Sequence, residues 1–187
     1  MHRKDQMRRI RLTIAYDGTN YRGWQIQQPT AAHTEGSFPT IQGELQRALG
    51  QLLPKEAVYG AAPEKSLDPL TSPDHVDEAA APGILPVVGA SRTDSGVHAL
   101  GNVACFDTES TIPAANFPKA INRYLPPDIR VMQADEVSMD FHPRFVPHEK
   151  CYEYRIDCGR VANPLTRLYA YNYKTSSKQA RSSTAFS

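Results

Sequence analysis

The chain has 187 residues, enough to bury a core as a single domain, and 40% of them are hydrophobic, an ordinary share for a globular protein. Its 21 Lys and Arg against 20 Asp and Glu give a net charge of +1, which excludes a generally sticky polycation, and no apolar run approaches the ~20 residues of a membrane span. Three cysteines, an odd and small number, fit a reducing compartment better than a disulfide framework.

The N-terminal stretch MHRKDQMRRIRL is basic but runs into alternation instead of an apolar block, which speaks against a secretory leader. Ile10, Leu12, Ile14 and Tyr16 alternate with Arg9, Arg11, Thr13 and Ala15, the pattern of a half-buried strand, and Asp17-Gly18 follows as a turn. Thr40 is placed to cap a helix whose Ile41, Leu45, Ala48, Leu49 and Leu52 share a face, with Pro54 beyond its end. Residues 54–86 are rich in Pro and Ala, have no period, and carry Glu56, Glu64, Asp68, Asp74, Asp77 and Glu78 against Lys55 and Lys65. They read as an inserted acidic loop. Without them the remainder is basic, from Arg3, Lys4, Arg8, Arg9 and Arg11 at one end to Arg144, Lys150, Arg155, Arg160 and Arg167 towards the other. That balance suits a phosphate-rich partner and suits plain solvated faces equally well.

Next, ILPVVGAS predicts a short strand that delivers the chain into GASRTDSGVHALGNVACF, residues 89–106, whose end NVACF is a further strand. Asn116 is placed to cap a second helix with Phe117, Ile121, Tyr124 and Leu125 on one face, stopped by Pro126-Pro127. DIRVMQADEV predicts another strand. In CYEYRIDC, residues 151–158, Tyr152, Tyr154, Ile156 and Cys158 alternate with Glu153, Arg155 and Asp157, which predicts one more. The last fourteen residues, KTSSKQARSSTAFS (174–187), are polar and without period and read as a disordered tail, directly after the ordered-looking LYAYNY. The order of elements predicts an α+β, ferredoxin-like (RRM-like) fold: an antiparallel sheet with two helices on one face and the other face open. In RNA-binding members of that class the open face receives bases.

Within residues 89–106, Asp94 is the carboxylate best placed for covalent chemistry, because a short Gly-flanked loop between two strands is held by a rigid scaffold. Arg92 nearby would favour its charged form, and an ionised, positioned carboxylate can serve as nucleophile or base. Gly89 and Gly96 would let a ligand approach the backbone closely. Two other readings stay open on residue types alone. One is a plain turn in which Asp94 accepts backbone N–H bonds with Arg92 as its surface partner. The other is a phosphate-cradling loop, which lacks a GKS or GKT ending. A zinc site from Cys151, Cys158, His142 and His148 lacks the close ligand pairs that such sites use. His98 reads as a scaffold residue.

GASRTDSGVHALGNVACF resembles the signature of the TruA-type tRNA pseudouridine synthases, close to G-x-G-R-T-D-x-G-V-H-A-x-G-Q-V-x-x-F. IAYDGTNYRGWQIQQ looks like that family's first strand and turn, PTIQGELQRAL like its first helix, and FHPRFVPHEKCYEYRI like the approach to its active-site tyrosine. The resemblance runs over most of residues 9–173, apart from the acidic insertion and the loop near Ala31 to Phe38; Ser91 and Ser95 are mild departures. It implies the pseudouridine synthase fold, and it implies that Asp94 is the catalytic aspartate. Arg92 would contact RNA and help extrude the target base. Tyr152 would stack on that base and is a candidate to help remove the C5 proton. Extrusion is what such chemistry needs, since the glycosidic carbon and C5 are out of reach in a stacked stem.

The resemblance further implies isomerisation of uridine at positions 38–40 of the tRNA anticodon stem-loop, no cofactor and no metal. It also implies a cytoplasmic homodimer and no membrane. Family members continue into a second half that supplies a basic partner for the aspartate and an apolar wall. Residues 1–173 are therefore expected to be the N-terminal catalytic half, with the second half absent and the chain alone weakly active or inactive. A non-catalytic RNA-binding module using the open sheet face is the alternative, and a nucleoside hydrolase dependent on Asp94 is a third possibility.

Overall fold

The computed structural model describes residues 7–26, 39–54, 84–147 and 149–173. Residues 55–83 of the predicted acidic insertion (54–86) and the predicted tail at 174–187 lie outside the described residues. Two compact units divide the chain, Met1–Val146 and Pro147–Ser187.

The first unit is organised by strand β1 (Arg8–Tyr16). Helix α1 (Ile41–Leu52) follows, then β2 (Val88–Gly89), β3 (Ala99–Thr108), a 3-10 turn (Ala114–Asn116), helix α2 (Phe117–Ile121) and β4 (Ile129–Val137). β1 pairs antiparallel with β3 on one side and β4 on the other, and β2 joins outside β3, giving the order β2-β3-β1-β4. That is the ferredoxin-like topology predicted from the order of elements.

The alternation of β1 decides which face is the core. Ile10, Leu12 and Ile14 are fully buried, and opposite them in register lie Phe106 and Ala104 of β3 and Ala134 and Val131 of β4. α1 presents Ile41, Leu45, Ala48 and Leu49 to this face, all completely buried, and the Phe117 ring from α2 meets Phe106 edge-on at 5.4 Å between centroids. Thr40 caps α1 as predicted, its hydroxyl accepting from the Gly43 N–H at 3.2 Å.

α2 departs from expectation. Asn116 has helical dihedrals and makes no side-chain cap, because the 3-10 turn already leads the chain into the helix and Pro118 needs no N–H partner in its first turn. The helix lasts little more than one turn, so Tyr124 falls past its end and is 38% exposed while Leu125 still reaches the core. Asn122 ties that end to β4: its side chain accepts from the Val131 N–H at 2.8 Å and donates to the Val131 carbonyl at 2.9 Å. Polar groups on an edge strand are thereby satisfied.

The other face of the sheet is polar and only partly open. Arg9 forms a two-pronged pair with its cross-strand neighbour Asp107 (2.7 and 2.8 Å), and Arg11 reaches its own neighbour Asp135 at 3.0 Å. Arg9 also donates to the carbonyls of Met139 and Phe141, both at 2.7 Å, and Arg144 donates to the Gly89 carbonyl at 3.3 Å. The chain after β4 thus returns across this face towards β2. Cys105 points to the same side and is 3% exposed, and burial pushes its thiol up to about 11. β1 and β3 put no aromatic ring on this face, because their aromatic residues, Tyr16 and Phe106, lie on the core side.

In the second unit the predicted strand over residues 151–158 shrinks to β5 (Ile156–Asp157), paired in parallel with β6 (Tyr171–Asn172). A strand lasts only as long as its ladder, and here the partner offers two residues. The Asp157 carboxylate accepts from the N–H groups of Gly159 and Asn163, which holds it below the usual carboxylate range and turns the chain away. Tyr152 and Tyr154 are 69% and 86% exposed, outside any ladder among the described residues.

Phe117→Ala is expected to lower unfolding stability in urea by about 3–5 kcal/mol, and Thr40→Ala by about 1 kcal/mol. Similar losses from the two would show that Phe117 is not a core residue. Alkylation of the native chain at pH 8 is expected to modify the exposed Cys151 and Cys158 quickly. Cys105 should lag them by roughly a hundredfold or more, from lost thiolate and access together. Equal labelling of all three by mass spectrometry would contradict the buried placement.

Candidate active site

The loop between β2 and β3 owes its shape to what lies beneath and beside it. Below, the Tyr16 ring is buried, and its hydroxyl meets the Thr93 hydroxyl at 2.9 Å. The Asn102 side chain donates both to the Tyr16 hydroxyl (3.3 Å) and to the Ser91 carbonyl (3.2 Å). Burial pushes the Tyr16 phenol up, so it stays protonated and available as a donor.

Beside the loop runs the turn between β1 and α1. The Trp24 N–H donates to the Thr93 carbonyl at 3.0 Å, while the Gly96 N–H and the Ser95 hydroxyl both donate to the Tyr21 carbonyl at 3.2 Å. Gly23 makes this approach possible: a Cβ there would stand 2.2 Å from the Thr93 carbonyl oxygen, and its φ of +80° is the left-handed region. The Tyr21 ring is anchored in turn, its hydroxyl donating to Asp128 at 2.6 Å. His98 lies at the far end of the loop with Nδ1 3.1 Å from the Gly18 N–H and 3.0 Å from the Asp17 carboxylate, a scaffold role as predicted.

Asp94 starts a tight turn, its backbone carbonyl accepting from the Val97 N–H at 3.2 Å. Gly96 takes the third position with φ +79°, as a type II turn requires. The expectation for the two glycines changes accordingly. Gly96 serves the turn, with open space where its Cβ would stand, and Gly89 makes room for the Trp24 indole, which would lie 2.5 Å from a Cβ there.

The plain-turn reading is right about the backbone and wrong about the side chains. Among the described residues the Asp94 carboxylate accepts no hydrogen bond, and the expected pairing of Arg92 with Asp94 is not made. Two residues apart on a loop gripped through Thr93, the side chains are both exposed and both project into a cleft of about 330 Å³. Its lining is Arg22, Gln25, Arg92, Thr93, Asp94 and Ser95. A carboxylate free of internal partners, on a rigid backbone and beside two guanidinium groups, is free to act on a ligand, and the cations suit a ligand that carries phosphate.

Of the three residues predicted for the site, Arg92 and Asp94 share this cleft. Tyr152 belongs to the second unit, where it is exposed. Arg22 and Gln25 went unpredicted as site residues. Both lie in IAYDGTNYRGWQIQQ, one of the stretches that carries the family resemblance, but its residue types identify a turn without telling what it faces. Among the described residues no group of three or more His, Cys, Asp or Glu could hold a metal ion, and no helix is long and apolar enough to cross a membrane.

Residues 12–146 match the model of a family described as tRNA pseudouridine synthase, a span that closes where the first unit closes. A tRNA pseudouridine synthase A from Solibacter usitatus is 39% identical over 178 residues, covering 95% of this chain and 59% of the relative. The protein of the same name from Lacticaseibacillus casei is 37% identical over 167 residues, covering 89% of this chain and 53% of the relative. One from Citrifermentans bemidjiense is 38% identical over 168 residues, with coverages of 90% and 53%. The chain spans about half the length of the curated relatives it matches.

Removing the loop's floor should cost more than changing its tip. Tyr16→Phe is expected to lower stability by about 1–2 kcal/mol, because Asn102 and Thr93 lose a buried partner. Asp94→Asn should stay within about 0.5 kcal/mol of the parent, since the carboxylate makes no internal contact to lose. Urea unfolding of the two variants side by side checks this, and a larger loss for Asp94→Asn would show a structural role for the carboxylate.

Proposed function

The chain belongs to the tRNA pseudouridine synthase family, and on that premise we propose that it carries the reactive-aspartate half of an enzyme that isomerises uridine in tRNA to pseudouridine. The observation that supports this most strongly is the Asp94 carboxylate itself, standing without a partner among the described residues in a cleft beside Arg92 on a braced loop.

In the reaction the N1–C1′ bond breaks and a C5–C1′ bond forms. C5 loses a proton, N1 gains one, and no redox cofactor is needed for the balance. Asp94 is the nucleophile or base that loosens the glycosidic bond. Arg92 contacts the RNA backbone near the extruded nucleotide, and Arg22, on the same cleft, adds to the positive field. Tyr152 is assigned by resemblance to stacking on the base and is a candidate to assist loss of the C5 proton. The target belongs to the anticodon stem-loop at positions 38–40, the working enzyme is a cytoplasmic homodimer, and residues 1–173 form its N-terminal catalytic half.

An exposed carboxylate leaves the reaction open to water, and a dry, electrostatically complete site needs a further surface over it. This chain alone is therefore a slow catalyst in our reading. The alternative of a non-catalytic module that receives bases on the open sheet face finds little support. The central strands show salt-bridged Arg9 and Arg11 there, with the returning chain across part of the face and no stacking ring from β1 or β3.

Tritium release from tRNA labelled at uridine C5 tests the proposal. The Solibacter usitatus relative is expected to lose activity by roughly a thousandfold or more when the aspartate matching Asp94 becomes Asn. Full activity would sink the assignment. The 187-residue chain should release tritium far more slowly than that relative, and comparable turnover would contradict the incomplete site. Arg92→Ala in this chain should weaken binding of an anticodon-arm RNA and reduce its salt slope by about one.

A further inference from the structure

Gln25 is the neutral residue from the β1–α1 turn that lines the cleft, and its backbone is flanked on both sides by hydrogen-bonded neighbours. The Trp24 N–H donates to Thr93, the Trp24 carbonyl accepts from the Gln42 N–H at 3.0 Å, and the Ile26 N–H donates to Gln42 Oε1 at 3.1 Å. Gln42 is itself fixed by donating Nε2 to the Val87 carbonyl at 2.9 Å. The Gln25 backbone is therefore as well located as that of Asp94, while its carboxamide has no internal hydrogen-bond partner among the described residues. Gln25 is half-buried, and a carboxamide with one acceptor, two donor hydrogens and no partner for them among the described residues is suited to a ligand edge that offers a donor beside an acceptor.

We propose that Gln25 is a substrate-contacting residue that holds the imide edge of the uracil while the base turns, a step that rests on the reading of Asp94 as the group acting on uridine. Uracil has an approximate two-fold axis through N3 and C6. Half a turn about that axis exchanges N1 with C5 and O2 with O4, and it leaves N3–H in place. Gln25 Oε1 accepts from N3–H and Nε2 donates to the adjacent carbonyl, which is O4 before the turn and O2 after it. One fixed carboxamide thus makes the same pair of hydrogen bonds to substrate and product, much as Asn and Gln read a base edge through two bonds elsewhere. Cytosine lacks this symmetry. Its N3 is an acceptor, and the half turn replaces an amino donor with a carbonyl, so a carboxamide that fits one orientation faces an acceptor with an acceptor in the other.

The test uses the 187-residue chain, labelled with nitrogen-15, titrated with uridine, pseudouridine and cytidine 5′-monophosphates and followed by NMR. The Gln25 side-chain amide signals should move with the uridine and pseudouridine nucleotides and not with the cytidine nucleotide. Gln25→Ala should weaken binding of the first two by a similar factor, about five- to tenfold, from the loss of two modest hydrogen bonds. Gln25→Glu, which keeps an acceptor for N3–H and loses the donor, should weaken binding at least as much, with thermal unfolding unchanged. If the Arg92 to Ser95 amides respond while the Gln25 amide and the Gln25→Ala affinity do not, the inference is overturned and the Asp94 reading stands. If cytidine nucleotide moves Gln25 as uridine nucleotide does, or no nucleotide moves it at all, the inference is likewise overturned. Failure of the Asp94 reading shows separately, as unchanged tritium release by the Asp-to-Asn relative.

Discussion

Thr93 is gripped from two directions, and the candidate site follows from that grip. Its carbonyl is held by the Trp24 N–H and its hydroxyl by the phenol of buried Tyr16. The first bond comes from the turn leaving β1 and the second from β1 itself, so the loop inherits the rigidity of the central strand. Asp94 is the next residue along, and its backbone is held by these neighbouring bonds while its carboxylate has no partner among the described residues. Immobile backbone with an unpaired carboxylate is the combination that preorganised chemistry requires.

The sheet supports this by spending its two faces differently. The core face of β1 carries Ile10, Leu12, Ile14 and Tyr16, and Tyr16 ends the series at the point where apolar packing gives way to the polar floor of the loop. The opposite face is stitched by Arg9 to Asp107, Met139 and Phe141 and by Arg11 to Asp135. Those pairs are part-exposed and add modestly to stability. Their larger consequence is positional, since Arg9 ties the chain after β4 back to the sheet through the Met139 and Phe141 carbonyls. At the loop end of the sheet the strand connections leave exposed side chains, Arg92 and Asp94 among them.

Much of the fold was legible because periodicity is a local record of burial. The two-residue alternation of β1, the α1 stripe and the Thr40 cap all came through, since each depends on neighbours within one element. α2 was overextended because the sequence offered a full apolar stripe, and that stripe does not record the 3-10 entry or the Asn122 tie to Val131, nine positions on, that bound the helix. Residues 151–158 alternate well and still pair over only two positions, because a ladder depends on its partner as much as on its own pattern.

At the site, sequence alone pointed to one loop and to the carboxylate in it: Arg92 and Asp94 stand in a short, Gly-flanked connection between strands, and the motif around them is long. Only the tertiary structure decided what that pair does within the molecule. The side chains do not neutralise one another, Gly89 and Gly96 serve the Trp24 ring and a turn, and Gln25 reaches the same cleft from some seventy positions earlier in the chain. Residue types and spacing carry chemistry, but whether a side chain is satisfied or left open depends on which remote segments the fold sets against it.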